Sequence, residues 1–231
     1  GDLGAAAPTG AFDSHAMRAS GRVGSLVLGA GEDKAWTAVI DSAAGFAYLG
    51  LDTVPGIVVK VRLSDFTRVG ALTLDSGEDY INAAVIDPAG GYAYFGTATG
   101  VVVKINLSNF TREAALPLGL SGGFFRSAVI DPAAGYAYFG TNTAPGTVVK
   151  IQLSDFSHVG SLSLNTGEDY LMMASIDPAT GYAYFGTHTY PGGVVKVRLS
   201  DFTRESALTF DPSEPSPVSS IIDSAAGFLY F

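Results

Sequence analysis

An aspartate that opens a turn recurs at positions 41, 87, 131, 177 and 223, at spacings of 46, 44, 46 and 46 residues, and its surroundings recur with it. The fullest copy reads Ala84-Val85-Ile86-Asp87-Pro88-Ala89-Gly90-Gly91-Tyr92-Ala93-Tyr94-Phe95-Gly96-Thr97. A repeated unit of this length buries its apolar residues against its neighbours, and a period in the forties points first to propeller blades. In this second copy, 83–87 reads as a short apolar strand and 88–91 as a turn, with Pro88 presetting φ and glycine taking the position where φ is positive. Residues 92–96, 101–107 and 111–118 read as three more strands. Four antiparallel strands per repeat make one blade. The strands are β-branched and aromatic, without an i, i+3, i+4 stripe or helix caps, which excludes helical solenoids. The expected fold is an all-β propeller with about 46 residues per four-stranded blade.

The order Ala-Val-Ile-Asp-Pro-x-x-Gly-Tyr-Ala-Tyr-Phe-Gly-Thr, then Val-Val-Lys-Ile-x-Leu, resembles the YVTN family of β-propeller repeats. Tyr94-Phe95-Gly96-Thr97 stands where that family has its name-giving tetrapeptide. The likeness covers roughly residues 22–231. It implies that the first strand of each blade lines the central channel and the fourth lies outermost.

Residues 1–21 are rich in Gly, Ala and Ser and read as a linker or lead-in; 22–231 reads as the propeller domain. Residues 22–28 match a fourth strand, while Phe231 falls inside a second strand. A closed ring of five blades and a piece of a longer propeller both fit this arrangement. Residues 12–17 fall where the closed ring needs a third strand, and they do not look like one. The start at Gly1 reads as processed or cut.

A net charge of −9 disfavours nucleic acid and anionic membrane surfaces as partners. No apolar run approaches the ~20 residues of a membrane helix, so membrane insertion is not expected. The absence of cysteine excludes disulfides, thiolate chemistry and cysteine zinc sites.

Lys60, Lys104, Lys150 and Lys196 recur mid-strand, and each is expected to pack its stem between blades and pair its head with a repeated aspartate such as Asp41 or Asp87. The aspartates themselves are expected to accept local backbone N–H groups in their turns. The pairs Glu32-Asp33, Glu78-Asp79 and Glu168-Asp169 each follow a glycine in the loop from a fourth strand to the next first strand. These loops share a rim with those joining second and third strands. The six carboxylates therefore either form an arc able to take Ca²⁺ or a cationic partner, or keep the rim solvated.

The second blade breaks the repeat. Its loop 97–100 is two residues shorter than 141–146, and the next loop replaces the acidic pair with Gly119-Leu120-Ser121-Gly122-Gly123-Phe124-Phe125-Arg126. Phe124, Phe125 and Arg126 form a candidate contact site, since aromatics and arginine are favoured where surfaces meet. Alternatively, one of the phenylalanines fills the space that the shorter loop leaves. Asn106-Leu107-Ser108 and Asn109-Phe110-Thr111 are both N-glycosylation sequons.

Gly119-Leu120-Ser121-Gly122-Gly123 matches Gly-x-Ser-x-Gly in letters but joins two strands, which is not the setting of a nucleophile elbow. His15, His158 and His188 are too dispersed for a metal set, and His158 occupies the position of Arg68, Arg112 and Arg204. The expected function is a non-catalytic, secreted or cell-surface scaffold that contacts protein or glycan, including a second copy of itself. The alternative, implied by the resemblance, is a lactonase-like hydrolase using a metal held by the rim carboxylates.

Overall fold

A computed structural model describes residues 17–18, 21–22, 24–119 and 124–231. The lead-in before residue 17, His15, and the Leu120–Gly123 part of the Gly-x-Ser-x-Gly match lie outside the described residues.

Each repeat folds into a meander whose strands lie side by side in chain order. The first blade comprises Ala35–Asp41, Phe46–Leu51, Ile57–Arg62 and Thr67–Thr73. The second comprises Ile81–Asp87, Tyr92–Thr97, Val101–Asn106 and Thr111–Pro117. The third comprises Phe125–Asp131, Tyr136–Thr141, Thr147–Gln152 and Ser157–Ser163. The fourth comprises Leu171–Asp177, Tyr182–Thr187, Gly193–Arg198 and Thr203–Thr209. A fifth sheet has the strands Ile221–Asp223 and Phe228–Tyr230. Consecutive first strands neighbour one another around the axis. The chain is a β-propeller, with the first strand of each blade innermost and the fourth outermost. The fourth strand expected over 22–28 is absent among the described residues: Gly21–Arg22 pairs with Met17–Arg18, and Leu26 and Leu28 pack as coil on the first blade.

The repeated motif is explained by how blades stack. The side chain that opens each first strand, Ile81, Phe125 or Leu171, is fully buried over the second strand of the preceding blade. It sits against Gly50, Gly96 or Gly140, where an added Cβ would come within 2.6 Å of Ile81, 2.9 Å of Phe125 and 2.9 Å of Leu171. The glycine of Tyr-Phe-Gly-Thr is therefore the socket for the next blade. The threonine after it is buried, and its hydroxyl meets that of Thr99, Thr143 or Thr189 in the loop above. In the first blade Leu51 takes this place, and Thr53 Oγ1 has no partner among the described residues.

On the lower side, a phenylalanine in each turn between third and fourth strands reaches back to the preceding blade. Phe110, Phe156 and Phe202 pack on Tyr48, Tyr94 and Tyr138 with ring centroids 5.9, 5.8 and 5.8 Å apart. Each phenylalanine has φ of 54–55°, a left-handed conformation that costs a bulky residue energy and that the interblade packing sustains.

The lysine expectation needs correction. The repeated ammonium groups rest on aromatic faces instead of meeting a carboxylate: Nζ lies 4.1 Å from the Phe46 ring for Lys60, 3.8 Å from Tyr92 for Lys104, 3.9 Å from Tyr136 for Lys150 and 3.7 Å from Tyr182 for Lys196. Burial pushes the Lys60 and Lys150 ammonium groups below the usual lysine range, with Asp41 partly opposing at Lys60. Four of the five repeated aspartates do what their turns require. Asp41, Asp87, Asp131 and Asp223 accept the backbone N–H of Ala44, Gly90, Ala134 and Ala226.

Candidate functional site

The loops entering each first strand and those joining second to third strands lie on one upper rim, and backbone hydrogen bonds tie them together. Gly56 N donates to Glu78 O and Tyr80 N to Thr53 O in the first blade, while Ala98 N of the second donates to Asp79 O. The same staple recurs with Gly146, Glu168, Tyr170, Thr143, His188 and Asp169.

The expected arc of free carboxylates does not form. Arg68, in the fourth strand of the first blade, donates to both oxygens of Glu32. Arg112 Nε lies 3.0 Å from both oxygens of Glu78, and Arg204 Nε lies 3.0 and 2.9 Å from those of Glu168. Each glutamate also accepts a loop N–H, from Gly29, Asp75 or Asn165. Hydrogen bonding from Arg68, opposed by burial and aided by the Gly29 N–H, holds the Glu32 carboxyl below the usual range. At Glu168 burial pushes upward, and Arg204 with the Asn165 N–H outweighs it. Three glutamates are thus structural clamps. Asp33 is exposed, Asp79 and Asp169 are half-buried, and no group of three or more Asp, Glu or His that could hold a metal gathers among the described residues. These residues do not fit a Ca²⁺ site, because the glutamate oxygens that would ligate it already accept from arginine.

The triplet 124–126 divides. Phe125 is wholly buried, edge-on to Phe139 at 5.4 Å, and serves the third blade as Ile81 and Leu171 serve theirs. It is an interblade plug and not part of a contact surface. Phe124 is exposed on the rim. Arg126 occupies a β-bulge near the top of the innermost strand of the third blade. Bulges at the same place carry Trp36 in the first blade, Asn82 in the second and Met172 in the fourth. A bulged residue is re-aimed out of the strand's alternation, and bulges recur next to functional sites. Trp36 and Asn82 were not legible as a site from motifs. The signal available was variation at one position between repeated neighbours.

Arg126 reaches Trp36, its guanidinium carbon 5.3 Å from the ring centroid, although the second blade stands between their strands. Asn82, on that intervening strand, is 6% exposed, and its Oδ1 has no hydrogen-bond partner among the described residues; nor does Arg126 Nε. Each of the other described arginine side chains, at 62, 68, 112, 198 and 204, meets a carboxylate. Arg126 meets none among the described residues.

The sequon asparagines lie on the lower side, where their Oδ1 atoms close local turns. Asn106 accepts from Ser108, and Asn109 accepts from Thr111 as Asp65 and Asp155 do from Thr67 and Ser157. A cleft of about 340 Å³ on that side is lined by Asp87, Tyr92, Tyr94, Lys104, Pro132 and Ser154. Burial, with Asp87 and Tyr92 adding to it, pushes the Tyr94 phenol up to about 12. These are parts of the repeated aromatic clasp.

Neither a family profile nor a curated protein matches the sequence. Among solved structures, the chain is similar to the crystal structure of the RRP9 WD40 repeats, with a TM-score of 0.62 at 11% identity over 78% of this chain. It spans 51% of the length of that structure. At this identity the likeness establishes the fold, a β-propeller with repeated blades.

Proposed function

We propose that the chain is a non-catalytic interaction scaffold that contacts a protein, a glycan or a second copy of itself through its upper face. One observation carries this reading. Among the described residues of the first four blades, every exposed aromatic lies on the upper face: Trp36, Tyr80, Phe124, Tyr170 and Tyr190, the last 83% exposed. Aromatic rings presented on a stiff frame are what protein contacts are built from. The frame is stiff because loop staples, glutamate–arginine clamps and aromatic clasps all tie one blade to the next. The lactonase-like alternative loses support, since it needs rim carboxylates free to hold a metal and three of the six sit in ion pairs. Kinship with YVTN repeats rests on the sequence resemblance, and placement outside the cell or on its surface is part of the same proposal.

The test is association by sedimentation, for the chain alone and mixed with the exported proteins of its source. The double variant Phe124→Ser, Tyr190→Ser is expected to lose the heavier species while keeping its unfolding midpoint. An undiminished heavier species, or none in any mixture, overturns the reading.

A further inference from the structure

We infer that Arg126, Asn82 and Trp36 form a binding site at the mouth of the channel for a carboxylate that carries an N–H or O–H donor on the neighbouring carbon. The inference rests on the same face as the scaffold reading and gives that face a ligand chemistry.

The chain has twenty-two acidic and thirteen basic residues, so an arginine has no shortage of carboxylates to meet, and five described arginines meet one. Arg126 instead lies against an indole, with its Nε buried and unpartnered. A buried donor left unpartnered forfeits its hydration without compensation, more so when charged, so native proteins rarely retain one without a reason. With Arg126 resting on Trp36, its Nε–H has no acceptor among the described residues and is open to one that a ligand supplies. Arginine's forked donors match a carboxylate best.

Asn82 supplies the second half. It stands at the same register on the adjacent innermost strand, 94% buried, with Oδ1 unpartnered. A single carboxylate satisfies Arg126 but not this acceptor. A ligand with a donor next to its carboxylate satisfies both, which describes a 2-hydroxy acid and equally the C-terminal residue of a peptide. The 55% exposed indole of Trp36 offers an apolar surface for the rest of the molecule. The three residues differ in kind while their neighbours obey the repeat: Ala35, Ile81 and Phe125 before them are each followed by Trp, Asn and Arg, and Val39-Ile40-Asp41, Val85-Ile86-Asp87 and Val129-Ile130-Asp131 come after. The frame is copied and the bulge is not.

Trp36 is the sole tryptophan of the chain, so its emission reports on this site directly. Titrating the chain with glycolate and with N-acetylglycine is expected to change that emission saturably, with acetate at least ~10-fold weaker because it lacks the donor that Asn82 Oδ1 accepts. N-acetylglycinamide and sodium chloride at matched ionic strength are expected to do nothing. Tighter binding of acetylated tripeptides with a free C-terminus identifies a chain end as the ligand; tighter binding of glycolate identifies a free acid. Arg126→Met is expected to abolish the response. Asn82→Asp, which places a carboxylate beside the unpaired guanidinium, is expected to abolish it too, and decides the matter if Arg126→Met fails to fold. No saturable change with any carboxylate, or the same change with the amide or with chloride, overturns the inference. Loss of association in Phe124→Ser, Tyr190→Ser reads the scaffold proposal separately, since neither substitution touches these three residues.

Discussion

Arg112 reaches from the outermost strand of the second blade to grip Glu78, whose own carbonyl accepts the Gly56 N–H of the first. One residue thereby joins two blades, by its backbone to the one behind and by its side chain to the one ahead. Glu78→Ala leaves Arg112 only the exposed Asp75 carboxylate and is expected to destabilise the fold by about 1.5–3 kcal/mol, the range for hydrogen bonds to charged groups. In urea unfolding, Glu78→Ala combined with Arg112→Met should cost less than the sum of the two single changes. Strict additivity would mean that the pair does not act as a clamp.

The clamps also set an acid limit. Glu32 and Glu168 have folded-state values below the ordinary 4.5, so each contributes stability that is present above that value and lost as pH falls through the lower, folded one. The wild-type chain should exceed the double variant Glu32→Gln, Glu168→Gln in urea midpoint at pH 6, and the gap should close below pH ~4.5. A gap that is constant from pH 6 to pH 3 would contradict the shifts.

Phe125 separates plugging from contact. Phe125→Ala should cost about 3–5 kcal/mol through the cavity it leaves, while Phe125→Leu, which copies Leu171, should cost less than ~1.5 kcal/mol. Thermal or urea unfolding decides between these outcomes and a surface role, in which both substitutions would be nearly silent.

Gly96→Ala tests the socket. The new Cβ would lie 2.9 Å from Phe125 Cβ and 3.0 Å from Phe139 Cδ1, so overpacking of about 1–3 kcal/mol is expected. Gly77→Ala, where nothing lies within 4 Å but φ is +88°, isolates the backbone cost alone.

The blades were legible in the sequence because a 46-residue period with four β-rich segments leaves few other solutions. All four strands of the second blade fall within two residues of their expected ends. The clamps were legible in principle. Glu occupies the same loop position at 32, 78 and 168, where the third blade has Gly122, and Arg occupies the same strand position at 68, 112 and 204, where the third blade has His158. The two departures fall in one blade, which is the trace of a pair lost together. Taken singly, the acidic loops looked like free ligands. The lysines misled for a different reason: aspartates in the neighbouring turns suggested ion pairs, whereas the side chains opposite them across the strand are aromatic. Arg126 was visible as a departure, but Trp36 was not, because its proximity depends on how tightly the innermost strands curl around the axis.

On the proposed reading a partner meets the upper face, which carries Phe124 and Tyr190, and not the lower face, which carries Leu63 and Asn109. Photo-crosslinking residues placed in turn at Phe124 and Tyr190 above, and at Leu63 and Asn109 below, distinguish the two faces. Discrete adducts, to a second copy or to another protein, are expected from the upper positions alone. Adducts from the lower positions, or from both faces equally, would contradict that reading.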